Sequence, residues 1–174
     1  MEELLKILLS SETETEVVEF KEAKTQFDKD KLGQYFSALS NEANLKGQPY
    51  AWLVFGIKND RSIVGTSIND AQLNDYKYEM AQHTNPRLSF ERTERVEKEG
   101  KQVVVCQIPA APQGDPVSWK GHCYGRDGES LGALHDNERD KIRMQNKAAD
   151  WSAQLITNAT IDDLSKDAID FARK

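Results

Sequence analysis

Lys21, Lys24, Lys58, Arg61 and Arg126, with Lys29 and Lys31 across a following turn, could together line a phosphate-binding edge. Phosphate contacts need only positive charge and hydrogen-bond donors, so such a set would give affinity without reading sequence. Arg126 stands out because it lies in Gly125-Arg126-Asp127-Gly128-Glu129-Ser130, a glycine-framed turn where backbone N–H groups could approach an anion. Glu22, Asp28 and Asp30 are interleaved with the lysines, so an ordinary solvated face is the competing reading. Glu14 and Glu19 are separated by an odd number of residues and point to opposite faces of any continuous strand; they meet only if Glu14 precedes the strand or the backbone bends. Cys106, His122 and Cys123 lack the paired spacing of a structural zinc site and would need His83 or His135 as a fourth ligand, so buried free cysteines are the simpler expectation. Ser118 and Ser130 have no nucleophile-elbow context, and no P-loop is present.

The elements that must position these residues are readable from periodicity. Leu4, Leu5, Ile7, Leu8 and Leu9 form an apolar stripe ending at Ser10-Ser11, a short amphipathic helix. Val17 to Phe20 predicts a strand. Asp28 or Asp30 can cap a helix whose apolar positions Leu32, Phe36, Leu39 and Ala43 recur at spacings of four, three and four. Tyr50 to Ile57 is a nearly continuous apolar run, as for a central strand covered on both faces, and Asn59 to Ser62 turns into a short hairpin partner at Ser62 to Gly65. A second helix spans Asn69 to Asn85, with Leu73, Tyr76 and Met80 inward and Pro86 closing it. Leu88 to Val96 and Gln102 to Ile108 form an antiparallel pair around a loop at 97–101, and Val117 to Tyr124 is a further strand or hairpin. Trp52 is expected in the core, and Trp119 and Trp151 at domain edges. The fold class is α+β: a mixed, mostly antiparallel sheet with two long helices packed on it, plus a helical C-terminal extension.

Composition narrows the function. The chain has 174 residues, enough for one domain with a real core. With 23 Lys and Arg against 29 Asp and Glu, its formal charge is −6, so any nucleic-acid surface must be local. Two distant cysteines and the lack of a secretory signal predict a reduced, cytoplasmic protein, and no stretch is long and apolar enough for a membrane partner.

Four pieces in order carry a family resemblance: Glu14, Glu19, Phe20 and Lys21; Ser37, Ala38, Leu39 and Asn41; Phe55, Gly56 and Ile57; then Gly125, Arg126, Gly128, Glu129 and Ser130. Over residues 10 to 135 this order resembles the Schlafen-type AlbA-like domain, also called the divergent AAA-associated domain. The resemblance implies an AlbA-like domain at 1–135 and a charged helical extension at 136–174 that begins a linker to further C-terminal regulatory portions. It implies a nucleic-acid-binding module, with DNA the expected partner, in a bacterial transcriptional regulator.

Two alternatives stay open. In Schlafen-family nucleases a corresponding glutamate pair and a downstream aspartate form a metal-dependent centre, which would place Glu14, Glu19 and Asp60 around Mg²⁺ or Mn²⁺. Against that assignment, the expected G-V-D-D strand end reads Gly56-Ile57-Lys58-Asn59-Asp60, with lysine at the first carboxylate position. Under the binding reading neither a metal nor another cofactor is expected, and Glu19 pairs with a nearby lysine or faces solvent. The other alternative is a sensor or oligomerisation domain, consistent with a homodimer. The segment Trp151 to Lys174 is expected to dock only weakly, because its apolar residues need cover from outside the domain.

Overall fold

The computed structural model describes residues 2–10, 17–128 and 130–145. Glu14, Glu129 and the whole Trp151–Lys174 segment, with the docking expected of it, lie outside the described residues. The order is α1 (Glu2–Ser10), β1 (Val18–Lys21), α2 (Lys29–Leu45), β2 (Tyr50–Phe55), α3 (Asp70–His83), β3 (Thr84–Asn85), β4 (Arg92–Lys98), β5 (Lys101–Pro109), β6 (Ser118–Trp119), β7 (His122–Asp127), β8 (Ser130–Ala133) and α4 (Asp136–Met144). The α+β class holds, with the strands divided into two four-stranded sheets rather than one: β1-β2-β5-β4 and β3-β6-β7-β8. Within them only β1 and β2 run parallel. Among the described residues no helix is long and apolar enough to cross a membrane.

Period-two alternation gives the first sheet two apolar faces. On one, Leu53, Phe55, Val104, Cys106 and Ile108 pack against Leu32, Phe36, Leu39 and Ala43 of α2. On the other, Val18, Phe20, Val54, Val103 and Val105 lie beneath Leu5 and Leu8 of α1. The interior position of β2 follows from its continuous apolar run. The Asp28 side chain caps α2 by accepting from Lys31 N at 2.8 Å. Asn69 and Gln72 exchange side-chain and backbone bonds at the start of α3 in a capping box.

α2 is buried continuously from Phe36 to Ala43, further round than one apolar stripe allows. Its apolar side faces the first sheet, and its polar side faces the second. Ser37 Oγ donates to Val117 O at 2.7 Å and accepts from Tyr124 N at 3.0 Å. Asn41 Nδ2 donates to Val117 O and Tyr124 O, both at 2.9 Å, while its Oδ1 accepts from Val117 N at 2.8 Å. Ser40 Oγ donates to Pro109 O and Asn44 Nδ2 to Ala111 O, each at 2.7 Å. The helix therefore acts toward segment 109–124 as a neighbouring strand would, supplying partners for backbone groups that a short ladder leaves over.

Several boundaries differ from those the sequence suggests. β4 starts at Arg92, not Leu88, and its hairpin is closed by the two residues Glu99 and Gly100, both with positive φ, as a tight turn between twisted strands requires. The Ser62–Gly65 partner reduces to a single bridge, Ile57 to Ile63. The tryptophans exchange roles: Trp52 is half-buried, whereas Trp119 is in the core. The extension expected from residue 136 begins with α4, which packs on α2 through buried Ile142 and reciprocal amide bonds between Asn44 and Gln145.

Trp119 reaches the core because Gly33 leaves its place open on α2; a methyl group there would overlap the indole ring. Glycine inside a helix ordinarily costs about 1 kcal/mol relative to alanine. Here the sign should reverse: Gly33→Ala is expected to destabilise by about 1–3 kcal/mol through overpacking, measured by urea denaturation with the shift of Trp119 fluorescence as a local report.

Candidate functional site

The sequence-selected residues separate into a buried polar cluster and an exposed end of the first sheet. The cluster forms where β1, α2 and β7 meet. Alternation along β1 sends Val18 and Phe20 toward α1 and Glu19 and Lys21 toward the α2 side. Arg126 reaches the same point from β7, its backbone N–H donating to Glu42 Oε1 of α2 at 3.0 Å. Gly125 permits that approach, because a Cβ there would press on Leu134 at 3.0 Å and come within 3.6 Å of Glu42 Oε1.

Glu19 has both carboxylate oxygens engaged. Oε1 pairs with Lys21 Nζ, and Oε2 lies 2.6 Å from Arg126 Nη2. The Glu19 and Arg126 side chains are 7% and 1% exposed, so this is a buried ion pair. The same guanidinium donates from Nη1 to Val18 O at 2.9 Å, taking up a carbonyl on the outer side of edge strand β1. Lys21 Nζ also sits 4.6 Å from the ring centroid of Tyr35. Burial works against the Lys21 charge, but the hydrogen bonds and attraction of Glu19 and Tyr35 outweigh it and raise the ammonium pKa.

Arg126 is therefore corrected from an exposed phosphate ligand to the centre of a buried cluster. It lies on strand β7, ahead of the turn, and its charge is directed at Glu19 rather than solvent. Arg61 is likewise engaged: Nη1 donates to Leu8 O and Leu9 O at 3.0 and 3.1 Å at the end of α1, and the guanidinium lies 5.3 Å from the Phe20 ring. Lys21 is half-buried with Glu19. The remaining two, Lys24 and Lys58, are exposed.

Lys24 and Lys58 share one end of the first sheet because β1 and β2 are parallel and terminate on the same side. Gly56 N donates to Lys21 O at 2.8 Å and Ser67 N to Lys24 O at 2.7 Å, joining the loops after both strands. Lys24 Nζ is 3.2 Å from Glu22 Oε1, with the lysine side chain 72% exposed. Lys101 Nζ reaches the same end and donates to Ile63 O at 2.7 Å.

Glu14 cannot be placed beside Glu19, since it lies outside the described residues. Asp60 sits in the exposed turn after β2, where its Oδ1 accepts from Ser62 Oγ and Ser62 N at 2.5 and 2.9 Å. Those bonds, aided by the charge of Lys58, lower its pKa. Among the described residues no group of three or more His, Cys, Asp or Glu side chains is arranged to hold a metal ion. Cys106 is buried on β5, and burial pushes its thiol up to about 12; Cys123 is half-buried on β7, and His122 is exposed. Glu42 and the backbone-binding roles of Ser37 and Asn41 are not visible in the sequence as site features; their signal is a run of polar residues inside an amphipathic helix.

The cluster makes two predictions. Arg126→Met leaves Glu19 buried beside one cation instead of two and should cost about 3–5 kcal/mol; Glu19→Gln combined with Arg126→Met should cost clearly less than the sum of the single changes in a urea-denaturation cycle. Lys21 has a folded-state pKa above its ordinary 10.5, so its contribution is complete below that value and is lost as pH rises through the folded value. The destabilisation caused by Lys21→Met should accordingly be constant across neutral and mildly alkaline pH and shrink only above about 10.5, as followed by denaturation at each pH.

The Schlafen, AlbA_2 family model matches residues 14–134, which include α2, both sheets and the buried cluster. No curated protein matches the chain. The DIP2311 protein from Corynebacterium diphtheriae is similar in structure over 97% of this chain, with a TM-score of 0.57 and 18% identity; this chain covers 32% of that protein, about a third of its length. The N-terminal domain of a Nitrosomonas europaea protein, whose name relates it to the ATP-dependent DNA helicase RecG, matches over 77% of this chain and 90% of its own, with a TM-score of 0.50 and 20% identity. At these identities the likeness concerns the fold, while the family match extends through most of the chain: it belongs to the Schlafen, AlbA_2 family.

Proposed function

We propose that this domain binds nucleic acid, DNA in the first instance, through backbone phosphates, as one module of a transcriptional regulator. The observation that carries the reading is the placement of exposed Lys24 and Lys58 in the loops at the shared end of β1 and β2. Family membership supports it, as does the likeness to a domain of a protein named for a DNA helicase. Arg61 and Arg126 contribute indirectly, Arg61 by holding the Lys58 turn against α1 and Arg126 by holding β1 against β7. With a chain charge of −6, the contact is local and few phosphates are neutralised.

Binding is preferred to metal-dependent cleavage because both oxygens of Glu19 already face cations, so a metal ion would have to displace Lys21 and Arg126. Lys58 also carries positive charge at the position where the cleavage reading calls for a carboxylate.

Fluorescence anisotropy with labelled duplex DNA across a salt series tests the proposal. Lys24→Ala/Lys58→Ala should weaken binding by a similar factor on unrelated sequences and flatten the log–log salt slope by about 0.9 for each phosphate no longer neutralised. Superimposable salt plots for wild type and double variant, or no binding by the wild type at low salt, would remove this end of the sheet as the interface.

A further inference from the structure

The two edges of the first sheet are treated differently. At β1 the outward Val18 carbonyl is taken up by Arg126. At β4, the two-residue turn fixes Lys98–Lys101 as a hydrogen-bonded pair, so the pairs at Val96 and Glu94 are also hydrogen-bonded to β5. The main-chain groups of Thr93, Arg95 and Glu97 consequently point away from the sheet. Among the described residues no other strand or loop backbone pairs with them.

An open edge is a template for another strand, and charge on it normally discourages pairing. Here the order of charges matters more than their number. Residues 94–98 read Glu-Arg-Val-Glu-Lys, a sequence complementary to itself when reversed. A twofold axis at Val96 sets Val96 opposite its own copy, Arg95 opposite Glu97, and Glu94 opposite Lys98, each relation occurring twice. The backbone permits this register: Arg95 and Glu97 carry the outward N–H and C=O groups and would exchange both main-chain bonds, while Val96 occupies the closer non-hydrogen-bonded position. Twofold registers centred on neighbouring residues are worse. Centring on Glu94 or Arg95 sets a like charge against itself, and centring on Thr93 draws in Glu91, whose N–H is already committed to Gln107 O at 3.0 Å.

We infer that β4 is a self-recognition edge, through which a second copy of this chain adds antiparallel to extend the first sheet into a continuous eight-stranded one. The contact is small and its charged pairs lie at the rim, so association is weak, concentration-dependent and sensitive to salt. Arg95 and Glu97 are exposed. The Arg95 link to Asp70, 2.5 Å between two exposed side chains, is a surface pair whose loss costs the fold little.

Sedimentation equilibrium of the full chain tests the inference through charge reversal. Arg95→Glu and Glu97→Arg should each lower the association constant by about tenfold or more, since each sets like charges opposite one another twice. An equimolar mixture should restore association, because both cross-strand pairs then become opposite in sign. Backbone amides of Arg95 and Glu97 in the wild type should also exchange more slowly with deuterium as protein concentration rises, a readout that needs no variant. A monomeric wild type at every concentration would overturn the inference. So would folded variants that associate as the wild type does, or a mixture no more associated than its components.

Discussion

A helix covered on both sides by sheets must dispose of polar groups on two fronts, and α2 meets that constraint by dividing its circumference. Leu32, Phe36, Leu39 and Ala43 fill the space over the first sheet. Ser37, Ser40, Asn41 and Asn44 bond the backbone of segment 109–124. β6 is only two residues long, so its neighbourhood would otherwise bury peptide groups without partners, at about 1–3 kcal/mol each. The second sheet is held in place less by its own ladder than by the side chains of this helix.

The buried ion pair adds direction to that arrangement. Ion pairs of this kind contribute little net stability, because desolvation offsets attraction, but removing one partner is expensive. Glu19 on β1, Glu42 on α2 and Arg126 on β7 therefore fix three elements relative to one another: a β7 slipped by one residue would turn the guanidinium away from Glu19. Lys21 shares the carboxylate and lies against Tyr35, tying the middle of α2 to the same point. Glu19 and Arg126, two of the residues that carry the family resemblance, thus meet at one structural junction in this chain.

Legibility in the sequence follows the range of the interaction. The four-three-four spacing in α2 and the apolar run of β2 are local and appear where the sequence places them, and of the two cap candidates Asp28 is the one that caps. The β4–β5 hairpin is evident, but its turn reads too wide because Glu97 and Lys98 look like loop residues while serving an edge strand. Arg126 misleads for a similar reason: glycine on both sides suggests an exposed turn, whereas Gly125 is there to admit β7 to α2. Its partners Glu19 and Val18 lie at the far end of the chain, where no spacing rule reaches. Trp119 shows the same limit, since the space it fills is defined by the absence of a side chain at Gly33.

Arg61 adds a polar tie between the turn after β2 and α1, whose Leu5 and Leu8 already share an apolar cluster with Ile57 and Ile63. It belongs to the turn carrying Lys58 and Asp60, yet its guanidinium grips the last carbonyls of α1 on the opposite face of the sheet. Restraining the turn therefore helps to restrain the end of α1, while the turn keeps its own bonds among Lys58, Asp60, Arg61 and Ser62. Where binding at one of these places moved the shared turn, thermodynamic reciprocity would require affinity at the other to shift by the same factor. The N-terminal helix thus has a polar as well as an apolar hold on the end of the sheet where Lys58 lies.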